Sequence, residues 1–213
     1  MTHQVSLLDY GIGNLRSVHA ALAHVGAGVE IVRQEAEIAR AERLVVPGVG
    51  AFGDCVDTLE TLGLFGALER FLMTDRPFLG ICVGMQMMVD YSEEFGRHKG
   101  LGAIRGVVRR IPDAPVGGPA YKVPHVGWTP LRRPEGADWR GTILHDCSED
   151  ESVYFVHSYA VVPERAASSL AEADYHSNRI AAVIHDRNHY GCQFHPEKSG
   201  SSGLSILSRF VSL

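Results

Sequence analysis

The chain has 213 residues, 45% of them hydrophobic, with 20 Lys and Arg against 25 Asp and Glu, a formal charge of −5 and a pI near 6.1. That is enough for one well-cored domain over 1–213, and the acidic balance argues against a general nucleic-acid binder. No apolar run approaches ~18 residues, no basic leader precedes an apolar stretch, and four scattered cysteines form no CxxC pair, so a cytoplasmic protein in a reducing compartment is expected.

In chain order, Val5–Leu8 reads as a strand and Asn14–Val25 as a helix with Leu15, Val18, Leu22 and Val25 on one face. Strands follow at Val29–Val32 and Leu44–Val46, helices at Val56–Leu62 and Gly66–Met73, and a strand at Pro77–Ile81. Met85–Val89 reads as the start of another helix. This alternation predicts an α/β fold with a mostly parallel sheet and helices on both faces, whose function collects at the carboxyl ends of the strands. Residues 96–143 differ: six of the ten prolines fall here, with nine Lys and Arg against three acids. Short antiparallel strands and long turns are expected, including Val107–Val108 and Tyr121–Val123, and the local surplus of positive charge fits a solvated rim. Strands return at Val153–His157, Ile180–Ile184 and Gly191–Phe194, and a last helix, capped near Ser201 or Ser202, carries Leu204, Leu207 and Phe210. Asp186-Arg187-Asn188, between His185 and His189, reads as a hairpin turn. Nothing among the eleven histidines has metal-ligand spacing, so no metal and no cofactor is expected.

Three loops at strand ends stand out. Asp9-Tyr10-Gly11-Ile12-Gly13-Asn14 has two glycines of a dinucleotide fingerprint, but Arg16 holds the place of the third. Asn14 then either caps the helix or lines a site. Pro47-Gly48-Val49-Gly50 is either a plain turn or one that points backbone N–H groups, those of Val49 and Gly50, inward toward an oxyanion, alongside the N–H of Val83.

The third loop is Gly80-Ile81-Cys82-Val83-Gly84-Met85-Gln86. A strand turning sharply into a helix, with glycines two before and two after the turn residue, is a nucleophile elbow. It puts the Cys82 sulfur at a helix N-terminus, where a thiolate is favoured. Cys55, Cys147 and Cys192 lack such flanks and read as small buried hydrophobes. After Cys82 comes His195-Pro196-Glu197. A residue before proline is driven extended, so His195 and Glu197 should project the same way, one as base and the other orienting it. Gln86, one helical turn beyond Cys82, can offer an amide to a substrate or serve as a plain helix residue.

Taken together, these segments resemble the class I (triad) glutamine amidotransferases over the whole chain. Asp9–Ser17, Pro47–Phe52, Val123–Trp128, Phe155–Tyr159 and Gln193–Ser199 narrow the resemblance to the glutaminase subunits of imidazole glycerol phosphate synthase. Val83, where leucine is frequent, and Thr129, where asparagine is, depart mildly. The resemblance implies a flavodoxin-like single domain that hydrolyses glutamine through Cys82, His195 and Glu197. It implies glutamine contacts by Gln86 and by the backbone around His157, Ser158 and Tyr159. It implies a heterodimer with a (β/α)8-barrel cyclase, reached by channelled ammonia, with Asn14, Trp128 and Lys198 toward that partner. It also leads us to expect that the Pro47–Gly50 turn presents its donors only when the partner binds. Two alternatives stay open on sequence: a triad glutaminase serving another synthase, and a non-catalytic binding subunit.

Overall fold

The computed structural model describes residues 3–113 and 120–213. The elements run β1 (Gln4–Leu8), α1 (Leu15–His24), β2 (Gly28–Val32), α2 (Glu35–Arg40), β3 (Leu44–Gly48), α3 (Phe52–Thr61), α4 (Phe65–Leu72), β4 (Phe78–Cys82) and α5 (Val83–Gln86). The second half holds β5 (Val89–Ser92), β6 (His98–Lys99), β7 (Ile104–Arg110), β8 (His125–Pro130), β9 (Ser152–His157), β10 (Tyr159–Pro163), β11 (Ser169–Tyr175), β12 (Asn178–Asp186), β13 (His189–Cys192) and α6 (Gly200–Val211).

Seven strands make the central sheet, in the order β11-β12-β13-β4-β3-β1-β2. The five from β13 to β2 are parallel, and β12 and β11 add antiparallel pairs at one edge. The strand order reverses direction after β2, so right-handed crossovers put α1 on one face and α2, α3 and α4 on the other. Contacts agree: α1 packs with α6, α2 and α3 with α4. Parallel strands covered on both faces need apolar residues throughout, and β3 (Leu44, Val45, Val46) and β4 (Phe78, Leu79, Ile81) are buried along their whole length. The loops after β1 and β3 flank the point where the order reverses, the usual place for a site in such sheets. A four-stranded sheet (β10-β7-β5-β6) and the β8-β9 ribbon cover the carboxyl end.

The expected alternation is observed, with four local corrections. The helix expected over Met85–Val89 is only one turn, Val83–Gln86. Beyond it, Met87 O and Val89 O accept the N–H groups of Leu101 and Gly102, which draws the chain into β5. Tyr121–Val123 is not a strand. Tyr121 is held by its ring, stacked 4.2 Å from His176, and Pro124 has no N–H to extend a ladder. The last helix starts at Gly200 behind Ser199, not at Ser201 or Ser202. And residues 196–198 form a 3-10 turn, so His195 and Glu197 are not alternating positions of an extended segment.

Candidate active site

Cys82 closes β4 with φ 55° and ψ −110°, a left-handed backbone for a residue with a side chain. Such conformations cost about 1–3 kcal/mol and persist only where the surroundings enforce them. Here the enforcement is the closeness of three backbone segments. A Cβ on Gly84 would lie 1.9 Å from Val46 O, and one on Gly80 2.4 Å from Gly84 O. The strained turn lifts the thiol to the edge of a cavity of about 250 Å³. With α5 reduced to a single turn, a helix dipole is too short to carry the thiolate. A charge facing the sulfur has to come from another group.

His195 supplies that charge. Its Nδ1 lies 2.9 Å from Glu197 Oε1, with the two side chains 3% and 0% exposed. A carboxylate only accepts, so Nδ1 carries the proton and Nε2 is left for the thiol. Burial pulls the imidazole pKa down, but its hydrogen bonds to Cys82 and Glu197 outweigh it and lift the pKa to about 9. The imidazole beside Cys82 is therefore charged at neutral pH. The i,i+2 contact is made by the 3-10 turn that Pro196 opens. Ser199 locks it: its Oγ donates to His195 O at 2.6 Å and accepts from Tyr154 N, while His195 N donates to Tyr154 O. Asn14 stands at the α1 N-cap position without capping the helix. Its Nδ2 donates to Glu197 Oε1 at 3.2 Å.

The other thiols are of a different kind. Burial pushes Cys55 up to about 11, Cys147 up to about 12 and Cys192 further up, which keeps all three protonated.

Across the cavity, Gln86 spends both amide N–H bonds, on Tyr159 O and Gln193 Oε1, each at 3.0 Å. What it can offer a ligand is its carbonyl oxygen. Gln193 in turn directs its Nε2 at Cys82 Sγ, 3.8 Å away. A buried chain runs behind the wall. Tyr159 O can only accept, so His157 Nδ1 donates to it at 2.8 Å. His157 Nε2 must then accept from His125 Nδ1 (3.1 Å), and His125 Nε2 accepts from Thr129 Oγ1 (2.8 Å). Burial holds both rings neutral, with pKa values lowered to about 3 for His157 and about 4 for His125.

Of the residues singled out from sequence, Val49, Gly50, Cys82, Val83, Gln86, His157, Ser158, Tyr159 and His195 line one cavity. Glu197 backs His195, and Asn14 backs Glu197. Trp128 and Lys198 lie outside it and are exposed. Sequence reasoning missed Glu94, Gln193 and His125. Glu94 lines the cavity, is nearly buried, and accepts the Phe52 N–H at 2.7 Å, while burial raises its carboxyl pKa. For Gln193 a signal existed, because it precedes His195 by two. Glu94 sits in an unremarkable run, Ser92-Glu93-Glu94-Phe95, that only the second sheet folds over the site.

Residues 6–212 match the family model for class-I glutamine amidotransferases. Imidazole glycerol phosphate synthase subunit HisH 1 of Legionella pneumophila (strain Lens) is 49% identical over 98% of this chain and 99% of that protein. The chloroplastic imidazole glycerol phosphate synthase hisHF of Arabidopsis thaliana is 43% identical over 97% of this chain, a match to 34% of that longer protein. Among solved structures, PurLQS from Thermotoga maritima aligns with a TM-score of 0.75 at 16% identity, covering 100% of this chain and 99% of that one, a likeness of fold.

Proposed function

The chain belongs to the class-I glutamine amidotransferases and, among these, to the glutaminase subunits of imidazole glycerol phosphate synthase, an enzyme of histidine biosynthesis, and on that premise we propose how its residues carry the reaction. The observation that carries the proposal is the buried His195–Glu197 pair beside a cysteine strained into the cavity. Cys82 thiolate attacks the side-chain carbonyl carbon of glutamine, and the oxyanion is held by the N–H of Val83 and of the Val49–Gly50 turn. His195 gives its Nε2 proton to the departing ammonia. Water, deprotonated by the now neutral His195, then cleaves the thioester to glutamate and restores the thiolate–imidazolium pair.

The cavity offers complementary groups for the rest of the substrate. The Glu94 carboxylate suits the α-ammonium, the Ser158–Tyr159 backbone the α-carboxylate, and Gln86 Oε1 the carboxamide N–H. Ammonia passes to a cyclase subunit with a (β/α)8 barrel in a cytoplasmic heterodimer, with Asn14, Trp128 and Lys198 on the facing side. The exposed Trp128 and Lys198 are in keeping with that, and no helix among the described residues is long and apolar enough to cross a membrane.

Glutamate release by the chain alone, and mixed with the cyclase subunit and its nucleotide ligand, tests this reading. A large rise in the mixture is expected. Turnover that is fast alone and indifferent to the cyclase would keep the triad but remove the partner.

A further inference from the structure

Tyr10 lies just after β1 and is 2% exposed. Its hydroxyl is one of three buried side-chain polar atoms among the described residues without a hydrogen-bond partner. Buried hydroxyls are nearly always paired, and an exception near a reacting centre calls for a reason. The hydroxyl rests against Gly48, 3.1 Å from where a Cβ on that glycine would sit. Gly48 stands opposite Cys82 in the β3–β4 register and leads directly into Val49 and Gly50. A side chain at Gly48 would also strike Gly84 N and Val83 Cβ, each at 2.9 Å, so the phenol, the turn and the elbow meet here. The group beside the phenol is the Cys55 thiol, which gives its own proton to Val49 O at 3.6 Å and leaves the hydroxyl only its sulfur, a weak acceptor.

We propose that Tyr10 is a positioning residue for the oxyanion turn: its hydroxyl, which has no strong acceptor here, donates to Gly48 O when the Gly48–Val49 peptide aims the Val49 N–H at the substrate. Rotating a peptide unit exchanges the directions of its C=O and N–H. Val49 O already faces the packed side, where Cys55 reaches it, so the peptide left to turn is Gly48–Val49. With the Val49 N–H in the cavity, Gly48 O is sent the opposite way, toward the Tyr10 hydroxyl, which thereby favours that orientation. The inference rests on the reading of Val49–Gly50 as the oxyanion donor.

Tyr10→Phe keeps the ring and removes the hydroxyl. In the complex with the cyclase subunit and its ligand, kcat for glutamine hydrolysis should fall at least about tenfold, with KM changed less than about twofold. The Tm of the isolated subunit should hold or rise, because an unpaired buried polar atom is deleted. Alkylation of Cys82 by iodoacetamide, which needs the thiolate but no oxyanion hole, should keep its rate. A merely structural tyrosine would lower Tm and activity together. Wild-type kcat in Tyr10→Phe, or a lower Tm, overturns the proposal. Val49→Pro, which deletes a turn N–H, separates the two ideas. Normal hydrolysis by Val49→Pro removes the oxyanion reading and this proposal with it. Val49→Pro that is inactive but still alkylated, beside a fully active Tyr10→Phe, leaves the reading standing and overturns the role of Tyr10.

Discussion

Asn14 and Glu197, 183 positions apart in sequence, meet through a hydrogen bond from Asn14 Nδ2 to Glu197 Oε1 at 3.2 Å. The same oxygen accepts from His195, and Glu197 Oε2 is buried with no protein partner. The triad therefore continues past its carboxylate to the last residue of the loop that leads into α1. The loop holding Asn14 also carries Tyr10, so one loop reaches both the triad carboxylate and the turn opposite Cys82.

Removing the Asn14 amide takes a hydrogen bond from a buried charge, worth about 1.5–3 kcal/mol. Asn14→Ala should lower kcat/KM for glutamine by about 10- to 100-fold, with Cys82 still present to label. Steady-state glutamate release checks this, and an unchanged kcat/KM would mean that His195 keeps its aim without Asn14.

The raised His195 pKa sets an alkaline limit. Its folded value of about 9 stands above the ordinary 6.5, so the imidazolium, and the stability it contributes, is fully present below pH 6.5 and lost as pH rises through about 9. The rate kcat/KM should follow, falling about tenfold per pH unit above that value as the acid for ammonia departure disappears. Glu197→Gln withdraws a hydrogen bond that raises the pKa, so the falling limb should move to lower pH. A pH–rate profile measures both.

On the acid side the buried His125–His157 pair works in the opposite direction. Both folded values, about 4 and about 3, lie below 6.5, so the unfolded chain takes up protons first as pH falls. Each ring should then remove about 1.4 kcal/mol of stability per pH unit below 6.5 until its own folded value is reached. Denaturant titrations from pH 7 to 4.5 read the slope, and His125→Phe, with one fewer group to protonate, should flatten it.

Glu94→Gln can still accept the Phe52 N–H through its amide oxygen but loses its charge. KM for glutamine should rise about 10- to 100-fold, the worth of a charge-assisted hydrogen bond, with a smaller effect on kcat. Equal KM values would place the α-ammonium elsewhere in the cavity.

How much of this was legible beforehand follows from what acts locally. The alternation of apolar strands and amphipathic helices is a property of short windows, and it led to the parallel sheet. The glycines around Cys82 announced the elbow because each meets backbone that a Cβ would strike. His195 and Glu197 were rightly paired for a wrong local reason, since the 3-10 turn and not strand alternation brings them together. Glu94, His125 and the Asn14–Glu197 bond depend on contacts between distant segments, which no window reveals. The end of α5 at Gln86 belongs with these, because pairing with Leu101 and Gly102 decides it.

The most direct test of the account is to trap the acyl intermediate. Complex turning over labelled glutamine is quenched in acid within the first turnovers and digested, and the peptides are analysed by mass. The account predicts a glutamyl thioester on Cys82, absent in Cys82→Ala and with none on Cys55, Cys147 or Cys192. Label on another cysteine, or steady glutamate release by Cys82→Ala, would contradict it.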